Sequence, residues 1–145
     1  MQKSIKHSYL AGFLDGDGSI YVRLKPNVSY RYGYQVDPYI VLFQSAKQKT
    51  AFIRLCAIIP FGMMRERKDG ILEYAIHKAG DIREFLSWVR PYVILKKKQV
   101  ALMEIILKQK ARVSSASDFR RLMKLIQQFQ VLNYSKNRKT RTLTP

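Results

Sequence analysis

The chain has 145 residues, 47% of them hydrophobic, and a formal charge of +17 from 27 Lys+Arg against 10 Asp+Glu. That length suits one domain, 1–145, with a real core; no apolar run nears the roughly 18 residues of a membrane span, and the single Cys56 excludes a disulfide framework or a Cys-based zinc site within one chain. The charge excess calls for a polyanionic partner, and the basic residues are spread through strands and loops rather than along one amphipathic helix, which points to nucleic acid and not to a membrane surface.

The N-terminus, Met1-Gln-Lys-Ser-Ile-Lys-His7, lacks the apolar stretch of a signal peptide, so an intracellular protein is expected. Residues 8–16 read as the first helix. It carries the nine-residue string Leu10-Ala-Gly-Phe-Leu-Asp-Gly-Asp-Gly18. Leu10, Phe13 and Leu14 make its apolar face. Gly12 and Gly16, four apart, share the other face, where another helix can approach backbone to backbone. The helix ends at Asp-Gly and leaves Asp17 beside that close contact, where a carboxylate can hold a metal ion. A calcium loop aligned on Asp15 is excluded, because Ser19 and Ile20 stand where a ligand and a glycine are needed.

Residues 19–25 alternate, with Ile20, Val22 and Leu24 on one side and Tyr21, Arg23 and Lys25 on the other, as a half-buried strand does. Pro26–Ser29 reads as a turn. A second strand is expected over 30–44, with Val36, Ile40 and Leu42 inward and Gln35, Asp37, Tyr39 and Val41 outward; Pro38 within it suggests an edge or bulge. A helix follows at 47–59, then two strands: Met63, Arg65 and Arg67 share a face of the first, and Leu72, Tyr74 and Ile76 face the core in the second while Glu73 and Ala75 face away. Asp81 reads as a helix N-cap with Glu84 as its capping box. Further helices are expected at 96–110 and 118–132, joined by Ser114–Ser117, and residues 133–145 form a basic tail. The expected class is α+β, in the order αββαββα with a curved four-stranded antiparallel sheet and additional C-terminal helices.

The nine-residue string resembles the signature of the LAGLIDADG homing endonucleases, specifically their single-motif, homodimeric branch. Segments resembling that branch recur in the same order: Lys25-Pro-Asn-x-Ser-Tyr30, Arg65-x-Arg67, Leu95-Lys-x-Lys-Gln99 and Leu132-Asn-x-Ser-Lys-x-Arg-Lys-Thr140. The resemblance implies a site-specific endonuclease, encoded by an intron, that cuts a long pseudo-palindromic duplex across the minor groove and leaves 3′ overhangs. It implies Mg²⁺ as cofactor, about two or three ions per dimer, with Mn²⁺ as a substitute and Ca²⁺ supporting binding but poor cleavage. The competing reading is a maturase acting on intron RNA, or a non-catalytic DNA-binding regulator on the same fold.

Asp17 is the expected metal ligand and catalytic carboxylate. One chain supplies one such carboxylate, so a homodimer packed through Gly12 and Gly16 is expected, bringing two copies of Asp17 to the two-fold axis. The resemblance adds the Gly16 carbonyl as a ligand, Gln44 to position the attacking water and Lys96 to stabilise charge near the scissile phosphate. At Gln48 the chain departs from the branch, which carries arginine there, and Lys47 or Lys49 is left to supply that charge. Alternation names the surface that reads duplex DNA: Tyr21, Arg23, Lys25, Asn27, Ser29, Tyr30, Arg31, Gln35, Asp37, Tyr39, Arg65, Arg67 and Glu73. Ser135, Lys136, Arg138, Lys139 and Thr140 in the tail read as a phosphate-binding arm.

Overall fold

A computed structural model of the chain describes residues 2–133. Helix α1 (Lys3–Asp17) is followed by strands β1 (Gly18–Pro26) and β2 (Tyr34–Ser45), a 3-10 turn (Ala46–Gln48), helix α2 (Lys49–Cys56), strands β3 (Met63–Glu66) and β4 (Ile71–Ile76), and helices α3 (Ala79–Val89), α4 (Lys97–Ala111) and α5 (Ala116–Leu132). The expected αββαββα order with appended helices is therefore present. The four strands form one antiparallel sheet in the order β1-β2-β4-β3.

Period-2 alternation assigns one face of this sheet to the core. Ile20, Ile40, Leu42, Leu72 and Ile76 are completely buried against the helices, and Leu10, Ala11 and Leu14 of α1 and Ile82, Phe85 and Leu86 of α3 meet them there. Cys56 is buried, and loss of hydration pushes its thiol up to about 12. Pro38 lies inside β2, opposite Val22 of β1. Pairing with β4 begins only at Ile40. Beside Pro38 the other flank of β2 therefore meets no strand, which is where a residue without an N–H is tolerated.

Several boundaries differ from the sequence expectation: α1 starts at Lys3 and not at residue 8, and α2 spans Lys49–Cys56 within the expected 47–59. The turn after β1 runs from Asn27 to Gly33, closed by the Asn27 amide donating to the Gly33 carbonyl (2.9 Å) and by Gly33 at φ +80°, so β2 starts at Tyr34 and not at residue 30. The third helix starts two residues before Asp81. Lys78 occupies the N-cap without a side-chain bond, and Asp81 serves the first turn by charge alone, so no capping box forms there. A related two-way cap, in which the carboxylate reaches the residue before the N-cap, belongs to α5. The Ser115 hydroxyl accepts from the Asp118 amide, and the Asp118 carboxylate accepts from the amide and hydroxyl of Ser114, which makes the expected linker a helix start.

Candidate active site and nucleic-acid interface

The junction of α1 and β1 needs glycine at position 18. A Cβ there would lie 2.6 Å from a Leu14 methyl and 2.8 Å from the Leu14 carbonyl oxygen, and the Gly18 amide donates to that same carbonyl. The helix therefore passes into the strand with no intervening loop, and Asp17 is fixed at the end of the sheet.

The two carboxylates of the string have separate environments. Asp15 accepts three hydrogen bonds, from the backbone amides of Ile94 (2.8 Å), Leu95 (3.2 Å) and Lys96 (3.1 Å). These amides lead into α4, whose N-cap, Lys96, has no side-chain cap of its own. Asp15 thus caps α4 from another element and complements its positive end. The sequence carried one sign of this: Pro91–Lys96 contains no Ser, Thr, Asn or Asp to cap the helix from within. Asp17 is exposed and makes no hydrogen bond or ion pair among the described residues, so its carboxylate is open to a ligand.

Gln44 lies two residues beyond Leu42, the partner of Gly18, and so at the Asp17 end of β2. Its Oε1 accepts from the Ser45 amide (2.8 Å), and Ser45 in turn caps the 3-10 turn through the Lys47 amide (3.2 Å). The Nε2 group of Gln44 has no partner among the described residues. Lys96 reaches back to the same corner, its Nζ donating to the Asp15 carbonyl (3.3 Å). Gln48 is exposed at the N-cap of α2 and makes no side-chain capping bond. Of the two lysines beside it, Lys49 is paired with Glu66 (2.9 Å), whereas Lys47 is exposed with no ion pair among the described residues.

The other face of the sheet carries the side chains named for DNA reading, in rows that follow the register. Level with Asp17 lie Phe43, Glu73 and Arg65. Next come Ser19, Val41, Ala75 and Met63. Tyr21 and Tyr39 follow, stacked at 5.2 Å, with His77 6.4 Å from Tyr39. Arg23 opposite Asp37 and Lys25 opposite Gln35 are outermost. The acidic members are tied to basic neighbours. Glu73 holds Arg65 (2.5 Å) and Arg67 (3.5 Å), which raises the Arg65 guanidinium above its ordinary value. Arg67 also meets Asp69 (2.5 Å). Asp37 accepts from Gln35 (3.0 Å) and lies 3.8 Å from Lys25. The guanidinium of Arg23 lies over Tyr39, 5.3 Å from its centroid.

Tyr30 and Arg31, expected in the second strand, join Asn27 and Ser29 in the turn, because it is longer than expected; the four form the tip of the β1–β2 hairpin. There the Asn27 carboxamide oxygen accepts from the amide (3.0 Å) and hydroxyl (2.6 Å) of Ser29. Tyr32 and Tyr34 stack on Phe119 of α5, at 5.0 and 6.5 Å, and seat the tip on that helix. Ser135, Lys136, Arg138, Lys139 and Thr140 lie outside the described residues.

Gly12 and Gly16 are exposed on α1, and a Cβ at either would meet nothing within 4 Å. Ile5 and Tyr9, 50% and 53% exposed, extend the same stripe, since positions 5, 9, 12 and 16 follow a four-three-four spacing. Ile94 and Leu95, beside Asp15, are 76% and 73% exposed.

The family model for LAGLIDADG endonuclease matches residues 10–107. This chain belongs to the LAGLIDADG endonuclease family. The DNA endonuclease I-CreI of Chlamydomonas reinhardtii is 33% identical over 137 residues, covering 94% of this chain and 83% of I-CreI. I-CvuI of Chlorella vulgaris is 30% identical over 105 residues, 72% of this chain and 65% of its own length. The crystal structure of I-CvuI with the I-CreI target in 2 mM Mg, its DNA not cleaved, superposes with a TM-score of 0.86 over 94% of this chain and 87% of that one, at 28% identity. I-CvuI with its own target in 2 mM Ca gives 0.85 over the same shares, also at 28% identity.

Proposed function

We propose that this chain is a homing endonuclease that works as a two-fold dimer, binding a long, roughly palindromic DNA duplex through its sheet and cutting both strands with Mg²⁺ to leave 3′ overhangs. The observation that carries this reading is the difference between Asp15 and Asp17: one is consumed in capping α4, the other is left open at the end of the nucleic-acid face.

The Asp17 carboxylate and the Gly16 carbonyl are hard oxygen donors of the kind Mg²⁺ takes. Among the described residues no group of three or more His, Cys, Asp or Glu is placed to hold a metal. One chain brings a single Asp17 to this corner, and a second copy across the exposed Gly12–Gly16 stripe would bring the matching one. A bound divalent ion polarises phosphoryl oxygen and acidifies water. The chain's own groups do the remaining work. Gln44, its Oε1 anchored on the Ser45 amide, directs Nε2 toward the attacking water. Lys96, tethered at the end of α1, offers its remaining protons to charge developing on the phosphate. Lys47 is the cation that stands in for the arginine absent at Gln48, because Lys49 is held by Glu66.

The test is cleavage of a randomised duplex library in Mg²⁺, with the new ends sequenced. Recovery of a partly palindromic site with 3′ overhangs is expected from the wild-type chain and not from Asp17→Asn. If that variant cuts at the wild-type rate, Asp17 is not the metal-binding carboxylate and the proposed chemistry is wrong.

A further inference from the structure

The rows of the sheet face differ in chemistry, and one contains no group able to read a base by paired hydrogen bonds. It crosses all four strands as Ser19, Val41, Ala75 and Met63. Val41, 3% exposed, is its floor, and Met63, 67% exposed, stands out from the face. On its inner side lies the row of Arg65, whose guanidinium is held on Glu73 through Nε (3.1 Å) and Nη2 (2.5 Å). On its outer side lies the Tyr21–Tyr39 stack.

In the major groove all four bases present hydrogen-bonding atoms, thymine through O4, and thymine alone adds an apolar C5-methyl. Either kind of base pair pressed against the Met63 row would lose water from its polar edge atoms, and only a pair with thymine offsets that loss by burying a methyl. An A·T pair gives the row a methyl to bury. We infer that each half of the DNA target carries an A·T pair, read through its thymine methyl, where Met63 and Ala75 meet the groove. This inference rests on the reading of the sheet face as the DNA-binding surface, and it names part of the sequence that surface selects.

The register also fixes a spacing. Side chains two apart on a strand are separated by about 6.7 Å, and base pairs stack about 3.4 Å apart. Adjacent rows therefore address positions about two base pairs apart. Arg65 is suited to guanine O6 and N7, and its row is level with Asp17, hence nearer the cleavage centre. The A·T pair should lie about two base pairs farther out than a guanine read by Arg65.

The full-length protein is used to select duplexes from a random library by binding in Ca²⁺. The half-site expected has an A·T pair about two pairs outside a G·C pair. Replacing the thymine of that pair with uracil removes only the methyl, and should weaken binding about fourfold. Met63→Ala, an exposed truncation that leaves the core untouched, should bind thymine and uracil targets alike. An enriched site with no A·T pair there, or equal affinity of the wild-type chain for thymine and uracil, overturns the inference while leaving DNA recognition in place. Enrichment of no sequence at all overturns the DNA-reading surface and the inference with it.

Discussion

Two carboxylates two residues apart on α1 have different neighbours, and their substitutions should fail in different ways. Asp17→Asn removes a charge from an exposed group with no partner among the described residues, so folding stability and DNA binding should stay near wild type. Cleavage should fall by at least about 10³, or roughly 4 kcal/mol of transition-state stabilisation. Asp15→Ala strips the cap from three successive amides leading into α4 and should cost about 1–2 kcal/mol of stability. Thermal unfolding beside single-turnover cleavage separates the two cases; a stable Asp15→Ala protein would show that the cap contributes little. Lys96→Met should slow cleavage less than Asp17→Asn, since the lysine acts on developing charge. Cys56 presents a different chemistry at this scale. With its thiol pushed up to about 12 by burial, it should react with a disulfide reagent only as fast as the protein unfolds. Rapid labelling of the native chain would contradict its placement.

At the scale of elements, helix starts and turns are where the sequence was hardest to read. The core faces of β1, β2 and β4 were legible because strict alternation leaves one assignment for each strand. Helix α1 was legible through Leu10 and Leu14. Asp81 and Glu84 had the spacing of a capping box, yet that helix starts at Ala79, and a two-way cap formed instead at Ser114, Ser115 and Asp118. Spacing alone does not say which of two such pairs is used. The role of Asp15 depends on a contact with residues about eighty positions away, which no local pattern carries.

The α5 cap has a pH signature. Hydrogen bonds from the Ser114 amide and hydroxyl, then from Ser115, hold the Asp118 carboxyl below its ordinary value of 3.8. A carboxyl lowered in the folded state contributes stability that is present above the unfolded value and lost as pH falls through the folded one. Asp118→Asn should therefore flatten the decline in melting temperature below about pH 4. An unchanged acid limb would remove the cap from the list of pH-sensitive contacts. Gly62, at φ +100° with any Cβ only 2.8 Å from the Tyr74 ring, fixes the turn into β3. Tyr74 donates its hydroxyl to the Phe61 carbonyl there. Gly62→Ala should cost about 1–3 kcal/mol in chemical denaturation.

For the whole molecule, charge and symmetry set the behaviour. Each copy carries +17, and the acidic groups of the sheet face are paired with basic neighbours. A dimer contacting about ten phosphates should show log K falling against log salt with a slope of roughly −9. A slope near zero would mean that the basic surface does not face DNA. Assembly is the harder requirement of the proposed chemistry, because a cut in both strands calls for two copies of Asp17 and each chain carries one. The exposed stripe Ile5, Tyr9, Gly12 and Gly16 is the surface on which a second α1 can pack. Within one copy Gly12 has nothing within 4 Å of its Cβ position, so Gly12→Leu should leave the folded protomer and its melting temperature nearly unchanged. In the dimer the added side chain would stand between the two helices and force them apart. Sedimentation should then report a monomer, and double-strand cleavage should disappear, because the two Asp17 carboxylates no longer converge. A Gly12→Leu protein that stays dimeric and cuts both strands would place the interface elsewhere.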